Sequence, residues 1–180
     1  VRIINETLAQ RYAGHPALIG WHLSNEYGGA CYCEQCAEKF REWLKQKYGS
    51  IEELNRRWWT RFWSHRCDSF AQIEPPMPKV GETCVHGLNL DWKRFVSDIT
   101  VDFMKAEIKA VRAFSDKPVT TNCMGFYQGL NYRDFAKELD FFSNDTYPFW
   151  GAGTKQTAED IGFLSDYCRG MKQGQPFITM

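Results

Sequence analysis

The feature that most constrains this chain is an order. Short apolar or β-branched runs alternate with amphipathic stretches, reading strand, helix, strand, helix, strand, helix, strand from residue 17 to the last residue. Residues 17–26, Ala-Leu-Ile-Gly-Trp-His-Leu-Ser-Asn-Glu, are apolar and then turn polar, as a buried parallel strand does where it meets a loop. Residues 118–123, 141–147 and 176–180 supply three more such runs. Between them, residues 89–115 carry Trp92, Phe95, Val96, Ile99, Phe103, Ala106, Ile108, Ala110, Val111 and Phe114 at helical spacing, and shorter helices are expected at 132–139 and 158–171. This alternation predicts parallel βαβ units, hence a doubly wound sheet or a (β/α)8 barrel. No Gly-x-Gly-x-x-Gly follows any of the strands, which removes the main support for a nucleotide-binding sheet. Polar residues instead stand at the strand ends, namely Asn25, Glu26, Asn122, Asp145 and Tyr147, where a barrel gathers its chemistry. The expected class is therefore α/β, part of a (β/α)8 TIM barrel. Four strands make half of one.

Ahead of and between these units lie further helices. Residues 4–12 read as helical, and Ala37, Phe40, Trp43, Leu44 and Tyr48 recur at three and four residues before Gly49 as a stop. Ser50 with Glu53 three residues on forms a capping-box pattern for a short helix carrying Leu54 and Trp58. Residues 60–87 hold prolines and glycines with no sustained period, so the single catalytic domain expected over residues 1–180 carries a long loop excursion there.

Composition excludes two partner classes. The 22 Lys and Arg balance the 22 Asp and Glu, so no net field gathers nucleic acid or an anionic membrane surface. No apolar stretch approaches the roughly 18–20 residues needed to cross a bilayer. The first residues, Val-Arg-Ile-Ile-Asn-Glu, show neither a signal peptide's pattern nor an initiator methionine, and the expectation is a piece of a longer protein. Of seven cysteines, Cys31, Cys33 and Cys36 are packed too tightly in sequence for separate disulfides, which favours a reducing, cytoplasmic setting. Their thiolates suit tetrahedral zinc if one more ligand arrives from elsewhere. Cys67, Cys84, Cys123 and Cys168 are isolated and are expected to be small buried hydrophobes, and His22 and His65 to be structural.

The chemistry centres on Asn25 and Glu26, a carboxylic acid and an amide at a strand end. Gly20-Trp21-His22-Leu23-Ser24-Asn25-Glu26-Tyr27-Gly28, then Cys31-Tyr32-Cys33-Glu34-Gln35-Cys36, then Phe62-Trp63-Ser64, resemble glycoside hydrolase family 42 in order and spacing, and the resemblance extends over nearly the whole chain. It implies barrel strands four to seven of a retaining β-galactosidase that hydrolyses terminal β-D-galactose residues. It also implies that Glu26 is the acid/base, that Asn25 binds substrate, that Trp63 lines the galactose subsite, and that Tyr147 donates to the nucleophile. The nucleophile itself is then expected to be a glutamate immediately after Met180. Glu74, Glu82 and Asp145 are the other carboxylates considered; the first two fall in the excursion and Asp145 matches no family nucleophile.

The resemblance further implies a structural zinc on Cys31, Cys33 and Cys36, with a fourth cysteine from a region preceding the acid/base strand that this chain lacks, and a homotrimeric parent. The loop between Glu26 and Cys31 is shorter here than in the longer family examples. Physical chemistry is consistent with the residue roles, because sugars offer C–H faces to aromatic rings and hydroxyls to amides and carboxylates. By itself the chain is expected to be inactive, for want of the attacking carboxylate. Two rival readings are a zinc-stabilised interaction module and a barrel glycosidase with another sugar specificity.

Overall fold

The computed structural model describes residues 1–76, 85–148 and 154–180, without the side chains of Trp63 and Thr154. In chain order the elements are α1 (Arg2–Tyr12), β1 (Trp21–His22), α2 (Glu34–Tyr48), α3 (Ile51–Trp58), α4 (His86–Arg112), β2 (Val119–Thr120), β3 (Asn122–Cys123), α5 (Tyr132–Glu138), β4 (Ser143–Asn144), α6 (Thr154–Met171) and β5 (Ile178–Thr179). They divide into two compact units, Val1–Gly28 with Ile99–Met180, and Gly29–Asp98.

Among the described residues the first unit holds the five strand segments, and their pairings are parallel. Trp21 and His22 register against Val119 and Thr120, Asn122 and Cys123 against Ser143 and Asn144, and those two against Ile178 and Thr179. Because β2 and β3 are separated only by Thr121, the ladder runs β1, β2 with β3, β4, β5, each strand beside its successor in sequence as in an arc of a barrel. Buried under it are Val101, Met104 and Val111 of α4, Phe135 and Ala136 of α5, Leu139, Phe142 and Cys168. Tyr132 and Phe135 pack edge-on at 5.9 Å, and Tyr132 meets Phe142 at 6.2 Å. Burying a Phe or Leu side chain contributes about 1.5–3 kcal/mol, which is why these apolar positions decide which helix face turns inward.

The run at residues 17–26 contributes only a two-residue ladder, and it is less buried than a strand covered on both faces: Trp21 is half-buried, His22 exposed and Ile19 86% exposed. Among the described residues it pairs on one side, with β2. Cys123 and Cys168 are buried as the composition suggested, Cys67 is half-buried, and Cys84 lies outside the described residues. Burial pushes the Cys123 and Cys168 thiols up to about 12 and about 11.

The second unit packs α2, α3 and residues 86–98 of α4 around Phe40, Leu44, Leu54, Trp92 and Phe95. Phe40 meets Trp92 edge-on at 5.0 Å and Phe95 at 5.3 Å. The expected stop and start between α2 and α3 are both present: Gly49 takes φ +73°, which suits a residue without Cβ, and the Ser50 hydroxyl accepts from Glu53 N–H at 3.2 Å. The described part of the excursion up to residue 76 is more ordered than its composition implied, and residues 77–84 lie outside the described residues. Asn55 Nδ2 donates to Cys67 O at 2.6 Å while its Oδ1 accepts from Cys67 N–H and Thr60 Oγ1. Arg41 Nε donates to Ile73 O at 2.9 Å. These anchors hold two 3-10 turns, Phe62–Ser64 and Phe70–Gln72, and α4 begins at His86 instead of the expected residue 89.

Candidate active site

Parallel pairing carries the ends of β1, β3, β4 and β5 to one edge of the first unit. Leu23 N–H donates to Thr120 O at 2.9 Å as the last bond between β1 and β2. The chain then turns sharply, with Ser24 at φ 45° and Glu26 at φ 47° on either side of Asn25. A left-handed backbone at a residue with a Cβ costs on the order of 1 kcal/mol, and two such residues around one asparagine persist only where neighbours over-determine them.

One of those neighbours is Asn122, buried at the start of β3. Its Oδ1 accepts from Glu26 N–H at 3.0 Å, and its Nδ2 donates to Asn25 Oδ1 at 3.0 Å and to Asp145 Oδ2 at 2.8 Å. A single amide at the start of β3 thereby ties the segments that follow β1 and β4. Since the Asn25 carbonyl is engaged, its NH2 is the end it offers outward, a donor suited to a hydroxyl oxygen. Glu26 is exposed, and among the described residues it is held through its backbone N–H.

The other neighbour is Glu107, on α4 and 2% exposed. Its carboxylate accepts from Asn5 Nδ2 at 3.1 Å, from Ser24 Oγ at 3.0 Å and from the Tyr27 hydroxyl. Burial and this carboxylate push the Tyr27 hydroxyl well above the usual phenol range, so its proton stays in place.

Asp145, anchored through Asn122 and through its N–H to Cys123 O at 2.9 Å, serves the scaffold of this edge. Tyr147 follows it by two residues and is 52% exposed; Thr146 N–H donates to Met180 O at 3.0 Å, which keeps this segment beside the end of β5. The backbone of Trp63 forms part of a 3-10 turn in the second unit, and its side chain lies outside the described residues, as does Glu82. Glu74 is occupied by Arg41 at 2.7 Å.

In the second unit, the sulfur atoms of Cys31, Cys33 and Cys36 all lie within 4.8 Å of one another. Cys33 is the N-cap of α2, and the backbone N–H of Cys36, with the thiols of Cys31 and Cys36, holds its thiol below the ordinary value. Burial, with the two neighbouring sulfurs, pushes Cys36 up to about 11. Three convergent soft sulfur donors fit zinc, with Zn–S bonds of about 2.3 Å; among the described residues the group numbers three.

Sequence reasoning named Asn122 and Asp145 at strand ends without giving them a task, and it missed Glu107. The signal for Glu107 was an acid placed four residues from both Phe103 and Val111, on the apolar face of α4. An acid on such a face needs dedicated donors.

Comparison with known proteins agrees with this architecture. The chain is 53% identical over 183 residues to β-galactosidase BglY of Alicyclobacillus acidocaldarius, covering 100% of this chain and 26% of the relative. It is 50% identical over 190 residues to β-galactosidase GanA of Bacillus subtilis, covering 99% and 28%. A crystal structure of a cold-adapted β-galactosidase from Rahnella sp. R3 superposes with a TM-score of 0.94 at 44% identity, covering 99% of this chain and 27% of that one. The chain thus spans about a quarter of the length of the curated relatives it matches. A family model described as β-galactosidase matches residues 1–180, and on that match and these identities the chain belongs to glycoside hydrolase family 42 and forms part of its TIM barrel.

Proposed function

We propose that this chain supplies the acid/base half of the catalytic centre of a retaining β-galactosidase, with Glu26 as the proton donor and acceptor. The observation that carries the reading is the turn after β1, where Asn122 accepts from the Glu26 N–H and leaves its carboxyl exposed at the edge where parallel strands end. In the first step Glu26 would protonate the glycosidic oxygen while a second carboxylate attacks the anomeric carbon. In the second it would take a proton from the water that releases galactose. Asn25, through its NH2, would hold a sugar hydroxyl.

The nucleophile must stand about 5–5.5 Å from the acid/base. A glutamate following Met180 in the full-length protein suits that task, because Met180 N–H donates to Asn144 O at 2.9 Å and its carbonyl accepts from Thr146, so the chain leaves β5 at the same edge. Tyr147, adjoining Thr146, would donate to that carboxylate, and Trp63 would offer its ring to the galactose face. Cys31, Cys33 and Cys36 would hold a structural zinc with a fourth ligand from elsewhere in the full-length protein, stabilising the segment that follows Glu26 without entering the chemistry. A cytoplasmic, homotrimeric parent acting on terminal β-galactosides completes the proposal. Among the described residues no helix is long and apolar enough to cross a membrane.

The test uses Glu26→Ala in the full-length protein. For lactose, a poor leaving group, kcat/KM should fall by about 10²–10⁴-fold. Glycosyl-enzyme formation from a dinitrophenyl galactoside should largely survive, and azide should restore turnover with a β-galactosyl azide as product. Equal losses on both substrates with no azide product would overturn the assignment.

A further inference from the structure

We propose that Glu107 is a positioning residue that fixes the direction of the Glu26 carboxyl by gripping the strained turn from both sides; the inference rests on the acid/base reading of Glu26. Ser24 and Tyr27 are the residues immediately flanking Asn25 and Glu26, and both donate to the Glu107 carboxylate. Asn5 of α1 adds a third donor. Three donor groups converge on this one carboxyl group, and among the described residues no Lys, Arg or His is paired with it. Burying a polar carboxyl group is costly, and an apolar side chain would fill the same space on α4 without that cost. What the acid provides instead is a fixed anchor for two residues of one turn.

The grip is firmest at Tyr27, which is buried. The Tyr27 ring lies against Phe103 at 6.2 Å, one helical turn before Glu107 on α4, and against Phe135 at 5.6 Å. Ser24 sits at φ 45° and Glu26 at φ 47°. Neither conformation is one a free loop of these residues would favour, so releasing Ser24 or Tyr27 lets the turn relax and swings Glu26 away from its setting. Asn122 holds the backbone N–H of Glu26 from the strand side, while Glu107 holds the residues before and after from the helix side. Proton transfer to the leaving oxygen is sensitive to this, since a misplacement of about 1 Å costs on the order of 10²-fold.

The experiment compares Glu107→Gln, Tyr27→Phe and Glu26→Ala in the full-length protein on lactose and on a dinitrophenyl galactoside, with thermal midpoints and azide rescue measured for each. Glu107→Gln keeps volume but turns one acceptor into a donor facing donors, and Tyr27→Phe keeps the ring packing while removing one hydroxyl. Both should lower kcat/KM for lactose by about 10–100-fold, leave that for the dinitrophenyl substrate within about 3-fold, and gain from azide. A purely structural role would depress both substrates alike. If Glu26→Ala discriminates between leaving groups while Tyr27→Phe and Glu107→Gln do not, the positioning role is wrong and the acid/base assignment stands. If Glu26→Ala itself fails to discriminate, the acid/base assignment falls and the positioning role with it. Should Glu107→Gln not fold, Tyr27→Phe alone decides.

Discussion

Asp91 illustrates how single residues hold the second unit together. It is buried, and its carboxylate accepts from Lys47 at 2.5 Å, Tyr48 at 2.5 Å, Trp58 Nε1 at 3.0 Å and Arg94 at 3.1 Å. Burial alone would raise its pKa, but the bonds from Lys47, Tyr48 and Trp58 outweigh that and hold the carboxyl below the usual range. The sign follows: a depressed folded-state pKa gives stabilisation that is full above the unfolded value of about 3.9 and is lost as pH falls through the folded value. Hydrogen exchange on α2 and α3 should therefore show protection that weakens below about pH 4 in the native protein. In Asp91→Asn that acid dependence should be blunted and protection should be lower at neutral pH, because Lys47 and Arg94 would face a neutral amide. Identical pH profiles for the two proteins would mean that Asp91 is not the responsible group.

At the scale of elements, α3 depends on its first turn. The Ser50 hydroxyl satisfies the Glu53 N–H, one of the four amide donors a helix start leaves without intrahelical partners, and Glu52 and Glu53 add negative charge at the positive end of the helix dipole. Ser50→Ala should cost about 1 kcal/mol, read as a lowered thermal midpoint with activity at low temperature unchanged. A loss below about 0.3 kcal/mol would show that tertiary packing of Leu54 and Trp58, not the cap, sets the stability of this helix. Helix α4 is the longest element and the one where periodicity was most informative, yet its exposed and buried aromatics divide unevenly. Trp92 and Phe95 are buried, whereas Phe103 remains 44% exposed. An apolar stripe names a face. Which parts of that face are covered depends on what packs there.

For the whole molecule, the cysteine cluster gives the most direct test. Elemental analysis of the full-length protein should return about one zinc per chain, and chelation should lower its thermal midpoint; protein purified without chelators and free of metal would refute the zinc site. The alternation of apolar runs and amphipathic stretches was sufficient for parallel βαβ units, because side-chain periods of two and 3.6 residues are local properties of the backbone. The caps at Gly49 and Ser50 were legible for the same reason, as was the exposed acid Glu26 at a strand end. Strand lengths were not, since ladder bonds need a partner strand and, among the described residues, residues 17–26 pair on one side. Nor was the order within residues 60–76, which comes from Asn55 and Arg41 reaching backbone groups 12 and 32 residues away. The support of the turn that bears Glu26 lay furthest from the sequence. Asn122 reaches Glu26 across 96 residues and Glu107 reaches Tyr27 across 80, so the sequence by itself determined only that an acid stands at a strand end, and the tertiary structure, by making distant polar groups neighbours in a low-dielectric interior, decided how the turn that bears it is held.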